Sequence, residues 1–361
     1  MGQNVDVLVV DDSAFYRHRI IEILEQSPNI KVIGTASNGK EAVEKALELN
    51  PDVITMDVEM PVMNGIEAVR EIMDKHPTPI LMFSNLTSEG AKVTLDALDA
   101  GAVDYLSKNF SSSSNYDDAY VLLREKVVTA SQSNRAVLRP AFRSNRKPVR
   151  KADTLSAATK RTSAIAAKES RRGDYKLVVI GASTGGPVAI QDVLTKLPAD
   201  FPVPIVVLVH MPGTFTTAYA SRLNDLCKLN VKEAADHDNL VAGQVLLAPG
   251  GKQLLIERKG DKGYVEIKGS LPGQTYKPSV DVGLGSSAAS YGKHVLSVIL
   301  TGMGADGKMG AQKLKQAGST VWSQDQESCV VFGMPQAVEK AGLSDRVLPL
   351  TQIGEQLARV F

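Results

Sequence analysis

The stretch Leu177-Val-Val-Ile-Gly-Ala-Ser-Thr-Gly-Gly-Pro187 decides how the second half of this 361-residue chain folds. Its first four residues are apolar and mostly β-branched, which is typical of a buried strand. Glycines, a serine and a proline follow at once, and then comes a helical pattern from Pro187 to Leu197. A strand that turns sharply into a helix places Ser183 at the edge of a sheet, beside the free N–H groups of a helix N-terminus.

Two functions fit this turn. Ser183 can be a nucleophile whose oxyanion is stabilised by the neighbouring backbone N–H groups, and Gly181-Ala-Ser-Thr-Gly185 matches the five-residue nucleophile-elbow pattern. Alternatively, the stretch is a glycine-rich turn that binds a nucleotide, and its serine only caps the helix. The turn by itself leaves both interpretations open.

The composition indicates a globular protein with one large or two ordinary domains. The formal net charge is +1 and 22% of the residues are charged, so we expect no general attraction to nucleic acid or to a membrane surface. Cys227 and Cys329 are far apart and lack metal-ligand spacing, which favours a reducing compartment. There is no signal-peptide pattern and no apolar run of about 20 residues. We therefore expect a cytoplasmic protein without membrane insertion.

The first part of the chain, from Val5 to about Ala130, alternates five short apolar strands with helical patterns, which predicts a parallel, doubly wound sheet. Polar residues follow four of the strands: Asp11, Asp12, Asp57, Ser84 and Lys108. Three carboxylates at one sheet edge repel one another unless a cation such as Mg²⁺ lies among them. A lysine and a hydroxyl beside them suit phosphate oxygens. The alternative is that the aspartates only cap a helix or lie in a solvated turn.

Three motifs then resemble the receiver domain of two-component response regulators: Val9-Val-Asp-Asp-Ser13, Met56-Asp-Val-Glu-Met-Pro61 and Tyr105-Leu-Ser-Lys108. The resemblance implies that Asp57 is the phosphoacceptor and that Asp11, Asp12, Asp57 and the Glu59 backbone carbonyl bind Mg²⁺. It also implies that Ser84 and Lys108 contact the phosphoryl group and that Tyr105 changes rotamer on activation. Asn109 departs from the family because receivers usually carry proline there, and Val62 stands where arginine is common.

Between residues 131 and 173 the alternation stops. This segment contains twelve lysines and arginines but only two acidic residues, with few large apolar side chains. Such a composition is typical of a solvated, flexible linker. A tether to an acidic partner or nucleic acid is the alternative, although the segment lacks interleaved aromatic residues and a helix-turn-helix pattern.

A second α/β pattern runs from Gly173 to the C-terminus, and Ser183, His210 and Asp306 each follow one of its strands. Strand ends of a doubly wound sheet share one edge, so the three side chains can meet as an acyl-transfer triad. Ser183 would attack, His210 would move the proton, and Asp306 would orient the imidazole. The order Ser, His, Asp differs from that of α/β-hydrolases, which implies a separate fold. Individually, His210 can be a core residue and Asp306 a helix cap.

The second half is similar to the chemotaxis protein-glutamate methylesterases, the CheB family. The similar motifs are Gly181–Gly186, Val209-His-Met-Pro212, Lys277-Pro-Ser-Val-Asp281, Leu300-Thr-Gly-Met-Gly-Ala-Asp-Gly307 and Val331-Phe-Gly-Met-Pro335. The resemblance implies hydrolysis of glutamate methyl esters on chemoreceptors, and deamidation of specific receptor glutamines, without a cofactor for the esterase chemistry. It assigns the roles of nucleophile, base and orienting acid to Ser183, His210 and Asp306, and the oxyanion hole to the N–H groups of Thr184 and Met303. Val282-Gly-Leu-Gly-Ser286 departs from the family's usual run.

Together these patterns predict an α/β protein with a five-stranded receiver at 4–122, a basic flexible linker at 123–173 and a doubly wound methylesterase domain at 174–361. We expect a monomer that is phosphorylated by a chemotaxis histidine kinase and acts on methyl-accepting chemoreceptors, with the receiver covering the triad until Asp57 is phosphorylated. The competing hypothesis is a non-enzymatic response regulator whose second domain binds a nucleotide or a partner.

Overall fold

The computed structural model describes residues 4–85, 87–108, 116–138, 174–269 and 275–361. Asn109 and residues 139–173 of the predicted linker lie outside the described residues. The elements of the first part are β1 Val5–Val10, α1 Ala14–Glu25, β2 Ile30–Ala36, α2 Gly39–Leu49, β3 Val53–Asp57, α3 Gly65–Lys75, β4 Ile80–Ser84, α4 Ser88–Asp99, β5 Asp104–Ser107 and α5 Tyr116–Ser131. Helix α5 continues beyond residue 122, the predicted end of the receiver, and the boundaries of the three segments stay predictions.

The first five strands form one parallel sheet in the order β2-β1-β3-β4-β5. Strands β3 and β4 are buried along their whole length, as expected for strands covered by helices on both faces. Helix α3 begins with a capping box, in which Asn64 accepts from the Glu67 N–H and the Glu67 carboxylate accepts from the Asn64 N–H. The prediction of a five-stranded, doubly wound receiver sheet is confirmed.

The second part has its own sheet. Its elements are β6 Leu177–Ala182, α6 Gly186–Leu194, β7 Ile205–Val209, α7 Gly213–Leu226, β8 Asn230–Glu233, β9 Gln244–Leu247, β10 Gln253–Lys259, β11 Lys262–Lys268, α8 Val280–Tyr291, a 3₁₀ turn at Gly292–His294, β12 Val295–Ile299, α9 Lys308–Gln316, β13 Thr320–Gln324, α10 Met334–Lys340, β14 Arg346–Leu348 and α11 Leu350–Val360. None of the helices in the described ranges is both long and apolar enough to cross a membrane.

The seven parallel strands of this sheet lie in the order β14-β13-β12-β6-β7-β9-β8, which confirms the predicted doubly wound α/β class. Strands β10 and β11 form a separate antiparallel hairpin that packs against α8, and the sequence patterns did not predict it. The central strand β6 lies between β12 and β7. Because the three strands are parallel neighbours, the loops that follow them meet at one edge of the sheet.

One residue of the receiver has an unfavourable backbone conformation. Val62 has a φ of +69°, a left-handed conformation that is costly for a β-branched side chain, and its side chain is 83% exposed and so gains little from packing. We expect Val62→Gly to raise the free energy of unfolding by about 1 kcal/mol, because glycine adopts this conformation without steric cost.

Equilibrium urea unfolding followed by circular dichroism measures the change. The matched control is Val121→Gly, which removes an exposed valine from the helix α5 and is expected to destabilise the protein instead. Equal destabilisation by both substitutions would contradict the strain argument.

Candidate active site and phosphorylation site

Ser183, His210 and Asp306 lie together at the edge of the second sheet, as predicted. The Ser183 hydroxyl is 3.1 Å from His210 Nδ1, and His210 Nε2 is 2.8 Å from Asp306 Oδ2. Ser183 and His210 follow β6 and β7 directly, whereas Asp306 ends the loop between β12 and α9. The contacts form the unbroken hydroxyl–imidazole–carboxylate chain that nucleophilic catalysis requires.

The turn after β6 is held by close backbone contacts. The Ser183 N–H donates to the Thr301 carbonyl at 3.0 Å, and Gly185 has a φ of +74° just before α6 begins. Gly302 packs directly against the serine, since a Cβ on Gly302 would lie 2.8 Å from the Ser183 Cβ. The glycines of both loops therefore permit the close approach that places the serine beside the imidazole.

Asp306 is buried, and several donors fix its carboxylate. Oδ2 accepts from the Val280 N–H at 2.7 Å in addition to His210, and Oδ1 accepts from the Ser279 hydroxyl at 3.0 Å and the Asp281 N–H at 2.9 Å. Burial raises the pKa of Asp306, but the interaction with His210 and the backbone donors outweighs it, so that the pKa is lowered overall. The carboxylate is thus ionised and rigidly oriented toward the imidazole.

The predicted oxyanion donors lie next to the nucleophile. Thr184 follows Ser183 in the turn, and Met303 follows Gly302, on which a Cβ would lie 2.8 Å from the Ser183 Cβ. Within the described ranges, neither the Thr184 nor the Met303 N–H donates to a protein acceptor. Backbone donors without a protein acceptor, close to a nucleophile, can stabilise a negatively charged oxygen, so the oxyanion role of these two residues stays a prediction.

The predicted phosphorylation site is also assembled. One carboxylate oxygen from each of Asp11, Asp12 and Asp57 lies within 4.8 Å of the others, and the Lys108 ammonium is 2.8 Å from Asp11 Oδ2 and 2.6 Å from Asp57 Oδ2. Burial raises the pKa of Asp57 to about 6 against the opposing effect of Lys108. Burial lowers the pKa of Lys108, but its bonds to Asp11 and Asp57 outweigh this effect and raise it. An all-oxygen set of closely spaced carboxylates fits the ligand preference of Mg²⁺.

The other predicted receiver residues lie near this pocket with different contacts. The Ser84 hydroxyl donates to the Gly90 carbonyl at 3.2 Å, so it bonds to the start of α4 rather than to Asp57. Glu59 is exposed in the loop after β3. Tyr105 is buried, and its ring stacks on Phe215 of the second domain with centroids 4.5 Å apart.

The receiver contacts the residues around the nucleophile. The Thr184 hydroxyl donates to Asp104 Oδ2 at 2.5 Å, and the Thr129 hydroxyl of α5 donates to the Met303 sulfur at 2.9 Å. Helix α4 packs on α7, where Arg222 pairs with Asp96 and Asp99. Of the two residues predicted to form the oxyanion hole, Thr184 therefore contacts the receiver and Met303 contacts the part of α5 that follows residue 122.

Sequence reasoning did not single out three residues that support the triad. Tyr276 stacks on His210, Ser279 donates to Asp306, and Asp281 accepts from the N–H groups of Gly307 and Gly310. Ser279 and Asp281 belong to Lys277-Pro-Ser-Val-Asp281, a motif that carried the resemblance. The motif indicated that this segment matters for function, but it did not show that Ser279 and Asp281 contact Asp306 and the loop beside it.

The fold and the two sites define a class of protein: a receiver joined to an α/β domain that carries an assembled Ser–His–Asp triad. Comparison with known families supports this class for the first and the second part of the chain. Residues 7–116 match the response regulator receiver domain, and residues 178–357 match the CheB methylesterase family.

Relatives of the whole chain have the same organisation. A protein-glutamate methylesterase/protein-glutamine glutaminase of Pseudomonas putida is 56% identical, and one of Vibrio vulnificus is 53% identical, each match covering 98% of both chains. The catalytic domain of CheB methylesterase from Thermotoga maritima is 43% identical with a TM-score of 0.51, covering 52% of this chain and 99% of that domain. The chain belongs to the CheB family of receiver-linked protein-glutamate methylesterases/protein-glutamine glutaminases. These matches support the enzyme hypothesis and not the non-enzymatic alternative.

Proposed function

We propose that this protein is a phosphorylation-activated hydrolase that removes methyl groups from glutamate methyl esters of methyl-accepting chemoreceptors, and deamidates specific receptor glutamines. The observation that carries the proposal is the continuous contact from Ser183 through His210 to the buried Asp306. Both reactions are acyl transfers from a side-chain carbonyl, so one triad serves for both.

In the proposed reaction, Ser183 Oγ attacks the ester carbonyl while its proton passes to His210 Nδ1. Asp306 stabilises the imidazolium that forms, and the N–H groups of Thr184 and Met303 donate to the oxyanion. The imidazolium then protonates the leaving methoxide, and methanol departs. Water attacks the acyl-enzyme with His210 as base, which releases glutamate and restores the serine. No cofactor takes part in these steps.

In the receiver, we propose Asp57 as the phosphoacceptor, with Asp11, Asp12, Asp57 and the Glu59 carbonyl holding Mg²⁺. When bound, the metal offsets the negative charge of the phosphoryl group. Lys108 already reaches Asp11 and Asp57, and its ammonium supplies a cation for a phosphoryl oxygen. Ser84 would contact the phosphoryl group after its hydroxyl leaves the Gly90 carbonyl, and Tyr105 would change rotamer.

The interface supports a gate. Asp104 of the receiver contacts Thr184, and Thr129 of α5 contacts Met303; these are the two residues proposed to stabilise the oxyanion. We propose that, in the inactive state, the receiver on this surface keeps a receptor helix from reaching Ser183. Phosphorylation would favour the separated arrangement, with Tyr105 leaving its stack on Phe215.

The expected partners are a chemotaxis histidine kinase as phosphoryl donor and chemoreceptors as substrate. We propose a cytoplasmic monomer that does not insert into membranes and does not bind nucleic acid, and a domain division at 4–122, 123–173 and 174–361. The test of the function is the release of labelled methanol from methyl-labelled chemoreceptor membranes, with and without acetyl phosphate and Mg²⁺. Absence of release under both conditions, from protein that is folded and phosphorylated, would contradict the proposal.

Phosphorylation at Asp57 can be tested separately from catalysis. We expect Asp57→Ala to keep low esterase activity that acetyl phosphate and Mg²⁺ do not change, whereas the same donor raises wild-type activity about tenfold or more, the usual size of allosteric coupling. The measurement is methanol release at saturating phosphodonor. The control is Glu44→Ala, an exposed acid of α2, which should respond like wild type. Full stimulation of Asp57→Ala would reject Asp57 as the phosphoacceptor of the gate.

A further inference from the structure

The imidazole of His210 is covered on one face by an aromatic ring. Tyr276 lies parallel to it, with centroids 4.1 Å apart and an interplanar angle of 4°. The Tyr276 hydroxyl extends to the loop after β12, because a Cβ on Gly304 would lie 3.3 Å from it. The phenol thus spans from the imidazole to the loop that carries Met303 and Asp306.

A fully buried glutamine holds Tyr276 in place. Gln253, the first residue of β10, donates from Nε2 to the Tyr276 carbonyl at 2.7 Å, and its Oε1 accepts from the Ser279 N–H at 2.8 Å. Ser279 in turn donates to Asp306. One side chain therefore holds the backbone of two residues: Tyr276, whose ring covers the base, and Ser279, whose hydroxyl donates to the acid.

We propose that Tyr276, held by Gln253, is a positioning residue of the triad that also favours the charged imidazole of His210 during acylation. The inference rests on the proposed function of the triad. The electron-rich face of an aromatic ring attracts a cation, so the stack stabilises the imidazolium that forms when Ser183 loses its proton. The parallel ring also restricts tilting of the imidazole, which keeps Nδ1 on the serine and Nε2 on the carboxylate.

Among the described residues, three acidic groups act on the imidazole or on the ring that covers it. Asp306 contacts His210 Nε2 directly, and Asp281 shares one donor with Asp306, the Gly307 N–H. Glu125 of helix α5 is close enough to act electrostatically on Tyr276, whose pKa is raised mainly by burial. Replacing the Tyr276 ring by an apolar side chain leaves these acidic groups in the protein. The effect of the ring on the imidazole can therefore be measured by itself.

The test uses full-length protein with acetyl phosphate and Mg²⁺ and a fluorophosphonate probe. Ser183 Oγ forms a bond to phosphorus, the P–F bond breaks, fluoride leaves, and His210 takes the serine proton. The rate constant of labelling is measured from pH 5 to pH 9 for wild type, Tyr276→Phe and Tyr276→Leu. The control is Tyr264→Leu, because Tyr264 lies beside His237, outside the triad, with ring centroids 5.9 Å apart.

We expect Tyr276→Phe and Tyr264→Leu to match wild type. Tyr276→Leu should label about tenfold more slowly on the pH plateau, with the midpoint of its acid limb about one unit lower. A tenfold change in rate and a shift of one pKa unit are the same free energy, which lies in the range for a partly desolvated cation–π contact. Tyr276→Trp keeps an aromatic face and should restore both values if leucine disturbs folding.

Two results would overturn the inference alone: a wild-type profile for Tyr276→Leu, or slower labelling with an unchanged midpoint, which a purely structural defect produces. Wild type that is not labelled at Ser183 would contradict the proposed function and the inference together.

Discussion

Alanine at position 183 is expected to lower kcat for ester hydrolysis by roughly five to six orders of magnitude, the loss seen when the nucleophile of a triad is removed. The Ser183 hydroxyl is the only group of that side chain that reaches His210, at 3.1 Å, and alanine leaves the imidazole with no proton to accept. The substitution removes one oxygen from a half-buried position, so we expect the free energy of unfolding to change by less than about 1 kcal/mol.

The measurement is methanol release from labelled chemoreceptor membranes together with phosphorylation of Asp57 by a labelled phosphodonor. Ser183→Ala should lose methanol release and keep phosphorylation of Asp57, because the two sites lie on different sheets. The matched control is Ser221→Ala, an exposed serine of α7, which should leave both unchanged. Residual turnover of the Ser183 variant within a hundredfold of wild type would remove this serine from its role.

The sequence predicted which strands end in candidate functional residues, because this prediction needs only the local pattern of an apolar run followed by a polar residue. Short buried strands are readable from apolar runs, and parallel strands bring their carboxyl ends to a common edge. The side chains of Ser183, His210 and Asp306 meet for a further reason, since β12, β6 and β7 are neighbours in the sheet. The hydrophobic pattern does not tell which strands are neighbours. The expectation that the three side chains meet came instead from their chemistry, because Ser, His and Asp together form a triad.

Contacts between distant segments could not be predicted in this way. Tyr276 lies in the segment before α8, 66 residues after His210 in the sequence, and its stack on the imidazole depends on a bond from Gln253 in a hairpin outside the main sheet. The contact of Thr184 with Asp104 depends on how one domain packs on the other. Such arrangements follow from shape and burial across the whole chain, and no local periodicity encodes them.

The proposed gate lies at the proposed oxyanion donors, and this position has a chemical consequence. Thr184 contacts Asp104 and Met303 contacts Thr129 through side chains, while among the described residues their backbone N–H groups donate to no protein acceptor. A gate of this kind would block access without consuming the donors. Its release would uncover a preorganised site, so we expect activation to require no rebuilding of the triad.

Asparagine at position 306 is expected to lower kcat by about ten-thousandfold, because an amide cannot serve all the donors that meet at the carboxylate. Oδ2 accepts from His210 and Val280, and Oδ1 accepts from Ser279 and Asp281. An amide nitrogen at either position faces N–H or O–H donors. If it lies at the Oδ2 position, His210 must turn its hydrogen toward Ser183, and the imidazole then cannot take the serine proton.

The measurement is kcat for methanol release by fully phosphorylated protein, with the free energy of unfolding determined in parallel, since unpaired buried donors cost about 1–3 kcal/mol each. The matched control is Asp281→Asn. Its Oδ1 accepts from the Gly307 and Gly310 N–H groups, and an asparagine oxygen can accept both. We expect the control to keep kcat within about tenfold of wild type, because Asp281 does not contact His210. If the two variants lost activity equally, Asp306 would act only by supporting the loop, and the orientation of the imidazole would have to come from Tyr276 alone.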